Sequence, residues 1–187
     1  MALFVGGCAA LGGSKPPPPT YDLTAPQTFP RVARAPRGQL IIPEATGLSV
    51  LDSDKIVVRP AAGEIAVLAD AQWSDRLTKL VQARTIETFE NASRLRAVGR
   101  PSDRLSADYQ LLLDIRAFEI LIPAGPAAEV EIAVKIVGDR SGRIIAARVF
   151  RAIVPAGATQ GPAAVAALDA AFGRVTTDLV LWTTRII

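Results

Sequence analysis

The sequence predicts an α+β domain built on a mixed, largely antiparallel sheet with two main helices packed on it. Two patterns and the composition carry that prediction. Between Tyr109 and Val154, apolar and polar residues alternate through three long runs separated by turn residues. Two further stretches, Trp73 to Phe89 and Val165 to Trp182, repeat their apolar residues at helical spacing. Half the residues are apolar but only 5% are aromatic, so the core is made chiefly of Val, Ile, Leu and Ala.

The first 37 residues read as a tether. Gly6, Gly7, Gly12 and Gly13 loosen the chain, and Pro16 to Pro19 favour an extended spacer without hydrogen bonds of its own. Pro26, Pro30 and Pro36 continue that composition, which places the start of the folded domain near Gly38. Leu40-Ile41-Ile42 is a short apolar run closed by Pro43. Ile56-Val57-Val58 and Ile65 to Leu68, separated by Pro60 to Gly63, read as two strands joined by a turn. Asp70 stands where an N-cap belongs, and the spacing of Trp73, Leu77, Leu80, Val81, Ile86 and Phe89 predicts a helix from about Ala71 to Asn91. Its other face carries Asp75, Arg76, Lys79, Arg84, Glu87 and Glu90, a solvated mixture of charges.

A short strand at Leu95 to Val98 leads through Gly99, Pro101 and Ser102 to the strongest alternation in the chain. Tyr109, Leu111, Leu113 and Ile115 are apolar at odd positions, whereas Phe118, Ile120 and Ile122 are apolar at even ones. A one-residue change of phase within a strand is what a β-bulge produces. Pro123 to Pro126 turns the chain into Val130, Ile132, Val134 and Ile136, and Asp139 to Gly142 turns it again into Ile144 to Val154. The three runs predict an antiparallel meander. Gly161-Pro162 opens a last helix whose seam of Val165, Leu168, Phe172, Val175, Leu179 and Trp182 packs across the sheet.

The chemistry available is narrow. There is no histidine and one cysteine, Cys8, which removes Ser-His and Cys-His nucleophile pairs, an internal disulfide and a thiolate metal site. No catalytic residue, cofactor site or metal site is expected. Ser141 lies in a turn sequence without a base to activate it, and Asp108, Asp114 and Glu119 fall on the polar, solvent-exposed side of their strand. The net charge of +3 is spread among acids; Arg31, Arg34 and Arg37 form the one local cluster without them, in a Pro-rich linker. The aromatics sit at core spacing and not among basic residues, so no nucleic-acid surface is expected. No run of eighteen apolar residues spans a bilayer as a helix.

Cys8 is the one candidate site. Leu3-Phe4-Val5-Gly6-Gly7 ahead of it is apolar and then small, which resembles the end of a bacterial lipoprotein signal peptide. The resemblance implies a cysteine that is lipidated and becomes the mature N-terminus. The expected division is thus 1–7, the end of a signal peptide; 8–37, the lipidated cysteine and its Gly/Pro tether; and 38–187, a single domain.

The body of the chain resembles the ABC-type transport auxiliary lipoproteins that accompany MCE-domain lipid transport systems, a family that includes the lipoprotein of the paraquat-inducible operon. The resemblance rests on Tyr21-Asp22-Leu23, on KIVVRP followed by EIAVLADAQWSDRLTKLVQ, on SADYQLLLDIRAFEI and VFRAIVP, and on the closing ALDAAFGRVTTDLVLW. Its more specific parts are Trp73, Asp75 and Leu77, then Ala107 to Leu111, and Trp182. It implies a fold similar to the N-terminal domain of the Tol-system protein TolB. It also implies a non-enzymatic domain on the periplasmic face of the outer membrane of a Gram-negative bacterium, held by its lipid. Its partners would be an MCE-domain protein and an ABC permease with its ATPase, its cargo phospholipid or another hydrophobic molecule. A different reading of the same residues is an envelope assembly lipoprotein that joins other proteins and carries no lipid.

Overall fold

The structure is a computed structural model that describes residues 17–30, 38–93, 95–104 and 106–187. A curled, mixed sheet of nine strands carries two helices on one face. Its hub is the long strand β7 (Tyr109–Leu121). Along one edge β7 pairs antiparallel with β8 (Ala127–Gly138), which pairs antiparallel with β9 (Ile144–Pro155). This is the meander the alternation predicts. Gly125 at φ 95° and Gly142 at φ 62° take left-handed turn conformations that a side chain would strain. The expected bulge is present too: the β7–β8 register shifts between Ile115 and Ala117. Arg116 is the extra residue, and the shift lets Leu111, Leu113 and Ile115 share a buried side with Phe118 and Ile120.

The opposite edge of β7 is covered by three short strands in series, all parallel to it. These are β2 (Gln39–Ile41) at Tyr109 and Gln110, β3 (Thr46–Gly47) at Asp114 and Ile115, and β4 (Lys55–Arg59) at Glu119 to Leu121. β5 (Ala66–Trp73) returns antiparallel to β4, and β6 (Ala97–Gly99) lies parallel to β2. Parallel pairs are the more numerous, but the long β7–β8–β9 ladders make antiparallel residues predominate.

Two sequence expectations are corrected. Asp70 does not cap a helix: residues 70 to 73 extend β5, with Ala71 and Trp73 buried and Asp70 exposed. The helix α1 (Leu77–Ala92) begins later. Its start is set by the loop before β4, which no local pattern reveals. The Leu77 N–H donates to the Ser53 carbonyl at 3.0 Å, and Arg76 Nη1 and the Thr78 hydroxyl donate to Asp52 at 2.8 and 2.7 Å.

The second concerns the segment assigned to the tether. β1 (Thr20–Tyr21) pairs parallel with Gln72 and Trp73 of β5, and Leu23 is 1% exposed in the core. The following residues strap both helices. Asp22 pairs with Arg84, and the Asn91 amide donates to the Pro26 carbonyl at 3.1 Å, both on α1. Thr24 donates from its N–H at 2.7 Å and its hydroxyl at 2.5 Å to Asp169 of α2 (Gly161–Ile186). Asp22 and Thr24 each find a partner that lies far along the chain, which composition alone does not disclose.

α2 begins at Gly161-Pro162 as expected and lies over β7, β8 and β9. Its seam meets the sheet through two aromatic groups. Trp73, Phe118 and Phe172 follow one another at centroid separations of 5.7 and 6.0 Å, and Phe150 meets Trp182 edge-on at 5.5 Å.

Candidate functional site

Helices cover the sheet face that bears Phe118 and Phe150, so the residues that alternate with them along the strands point to the open face. Cross-strand partners define rows across that face. One row runs Val67, Val57, Glu119, Glu129, Ile153 from β5 to β9. The next are Ala117, Glu131, Arg151; then Asp114, Ala133, Val149; then Leu112, Lys135, Ala147.

The first row is buried in its middle and open at its ends. Glu119 is 5% and Glu129 8% exposed, whereas Val67 is 48% and Ile153 44% exposed. Two carboxylates directly opposite each other repel, and each is neutralised by an arginine from the next strand outward. Arg59 of β4 donates to both oxygens of Glu119 at 2.6 and 2.8 Å, and Arg151 of β9 donates to Glu129. The hydrogen bond to Glu119 raises the pKa of Arg59, and the one to Glu129 does the same for Arg151. Both arginines stay fixed cations.

The structure therefore separates Asp108, just before β7, from Asp114 and Glu119 within it and gives each a different partner. Asp108 accepts from the Gln39 N–H at 3.0 Å, Asp114 lies 3.8 Å from Arg116, and Glu119 is held by Arg59. Glu119 is buried and not exposed as its alternation suggests, because β4 delivers Arg59 across a pairing that spans 60 residues of sequence. Ser141 accepts from the Arg143 N–H at 3.3 Å, a turn role. Among the described residues no group of His, Cys, Asp and Glu gathers as a metal site. Cys8 and the Arg31, Arg34 and Arg37 cluster lie outside the described residues.

Two surface features remain. A groove of about 320 Å³ lies where the loop after β2 meets the open face, floored by Leu112, Leu113 and Ala133 and flanked by Asp114, Arg116 and Lys135. That volume is at the low end of the roughly 300–1,000 Å³ typical of small-molecule sites. The other is β9, which pairs with β8 on one side and with nothing among the described residues on the other. Twelve residues long, it exposes Ile144, Ile145, Val149 and Ile153. β1 and β9 form opposite margins of the sheet, separated by β5, β4, β7 and β8. The alternation in β9 is legible in the sequence, but that this strand ends the sheet is not.

Known proteins share this arrangement. Protein XCC0632 of Xanthomonas campestris has a crystal structure that superposes with a TM-score of 0.82 at 29% identity, over 90% of this chain and 96% of that one. The hypothetical protein CT253 of Chlamydia trachomatis shares the fold, with a TM-score of 0.56 at 10% identity over 81% of this chain and 98% of its own. An uncharacterised protein of Bradyrhizobium diazoefficiens is 38% identical over 172 residues, 92% of this chain and 46% of the relative. The chain thus spans about half the length of that curated relative. The ABC-type transport auxiliary lipoprotein family matches residues 21–180, from β1 through most of α2. The chain belongs to that family of ABC transport auxiliary lipoprotein components.

Proposed function

We propose that the protein is a lipid-anchored docking component of an MCE-type ABC transporter that moves phospholipid or another hydrophobic molecule between the inner and outer membranes. Cys8 carries the lipid on the periplasmic face of the outer membrane, and the domain grips the transport complex without catalysing a reaction. The observation that carries the reading is the opposition of its two margins. The chain enters the sheet at β1, clipped to both helices, while the unpaired strand β9 lies at the far margin.

The clip also sets the reach. Eleven residues lie between Cys8 and Thr20, and the twelve steps that join the two span at most about 43 Å when fully extended. Two or three acyl chains on one cysteine hold a protein stably at a bilayer where one chain does not. The domain then sits close to its membrane with its free strand turned away from the point of attachment. The groove at Leu112 has room for part of a lipid rather than a whole phospholipid.

The test is affinity purification of the intact lipidated chain from detergent-solubilised membranes. Recovery of an ABC permease, its ATPase and an MCE-domain protein is expected. Recovery of envelope proteins without any of these would support the assembly reading in its place.

A further inference from the structure

We infer that the unpaired edge of β9 receives an extended, acidic segment of a partner protein as an added strand. The backbone supplies the means: a 12-residue edge strand presents a row of unpaired N–H and C=O groups about 40 Å long. Natural edges of this length are blunted or used. β9 is not short, and it is interrupted only near its ends, by a bulge at Ile145 and by Pro155 at its last position.

Charge decides the occupant. From Arg140 to Leu168 the chain carries four arginines and no Asp or Glu. Arg151 is already committed to Glu129 and Glu131 on the open face. Arg148 projects to the helix-bearing side, with its guanidinium 5.0 Å from the Phe150 ring centroid and no carboxylate partner among the described residues. Arg140 and Arg143, at the turn into β9, likewise have none among the described residues.

A second copy of the chain is a poor fit, because pairing β9 with itself brings two sets of arginines to one seam. The chain's own residues 1–16 and 31–37 fit no better. They carry Lys15, Arg31, Arg34 and Arg37 and no acid. What fits is a foreign strand whose side chains alternate: apolar residues on the open face beside Val149 and Ile153, carboxylates on the other side beside Arg148. This names the partner chemistry for the docking reading above and rests on that reading for its setting in the cell.

The test uses the full 187-residue chain and two fluorescein-labelled eight-residue peptides, one alternating valine with glutamate, the other valine with lysine. Fluorescence polarisation should show binding of the glutamate peptide, weakening as salt rises from about 0.05 to about 0.5 M. Binding of the lysine peptide should be at least about tenfold weaker. Hydrogen exchange should slow at residues 144–155. In the double variant Arg143→Glu, Arg148→Glu, whose positions are exposed, the preference should pass to the lysine peptide.

No binding, equal binding of both peptides, protection elsewhere than β9, or an unchanged preference in the double variant overturns the inference. So does a peptide-free dimer, by sedimentation, that protects β9, since the occupant is then a second copy. Recovery of transporter components with the intact chain alongside any of these results would leave the docking reading standing and remove the strand addition alone.

Discussion

Arg59 grips both oxygens of Glu119, from Nε at 2.6 Å and Nη2 at 2.8 Å, and so joins β4 to the centre of the sheet's open face. Glu119 is buried and stands opposite Glu129, so losing the arginine leaves a buried carboxylate beside a second one. Arg59→Ala is expected to lower unfolding stability by about 2–3 kcal/mol, the arginine's partial exposure reducing the full cost of breaking a buried pair. Replacing both partners, Arg59→Met with Glu119→Leu, should cost clearly less than the single change. Urea denaturation of the three proteins measures this.

The same pair has a defined pH behaviour on its arginine side. Glu119 raises the Arg59 pKa by a hydrogen bond. A raised pKa contributes stability that is fully present below the unfolded-state value and is lost only as the pH climbs past the folded one. The ordinary value for arginine already lies above 12, so its protonation contributes a constant amount between about pH 6 and about pH 10. Urea midpoints of Glu129→Gln, which keeps the Arg59 pair, should therefore show no loss over that interval traceable to arginine; a decline that vanishes in Arg59→Gln would contradict it.

The strap gives a prediction about where the domain begins. Leu23 is almost fully buried, and Leu23→Ala should cost about 2–4 kcal/mol. Deleting residues 1–18 spares Pro19, whose carbonyl accepts from the Gln72 N–H at 3.1 Å, and should change the melting temperature little. Deleting residues 1–26 removes β1, Leu23 and the Thr24 bonds to Asp169, and should lower it by 10 °C or more, about the effect of losing several kcal/mol in a domain of this size.

Arg116 separates side chain from backbone count. Its side chain is exposed and its nearest carboxylates lie 3.8 and 3.9 Å away, so Arg116→Ala should cost under about 0.5 kcal/mol. Deleting Arg116 removes the bulge residue. Ile115 and Phe118 then stand two positions apart, so regular alternation keeps Leu111, Leu113, Ile115, Phe118 and Ile120 on one side in an unbroken register with β8. Circular dichroism should find both the alanine variant and the deletion protein folded; an unfolded deletion protein would show that the bulge itself, and not only the phase it corrects, is required.

The anchor is tested in the chain expressed behind a complete lipoprotein signal peptide. Cys8→Ser should move the protein from the membrane fraction to the soluble periplasmic fraction; retention in the membrane would remove Cys8 as the attachment point.

Legibility followed the range of each interaction. The β7 bulge, the three-strand meander and the α2 seam are local periodicities, and each was readable without a neighbour. The sequence places Trp73 on a helix because Trp73, Leu77, Leu80 and Val81 keep a helical spacing, which a strand followed by a break and a later helix also satisfies. Glu119 was placed in solvent because alternation reports which face a residue takes, not what lies across it. Of the surface described here, the exposed alternation of β9 was visible in the sequence; its standing at the margin of the sheet was not.

By itself the sequence determined the α+β class, the order and phase of the long strands, the last helix and the lack of histidine or a second cysteine, all properties of composition or of neighbours within one element. Only the tertiary structure decided that β2, β3 and β4 line one edge of β7, that residues 20–26 belong to the domain, and that Glu119 is buried against Arg59. Those outcomes depend on pairings across 52 residues and more, where hydrophobic packing of the whole sheet selects the partner and no local pattern encodes it.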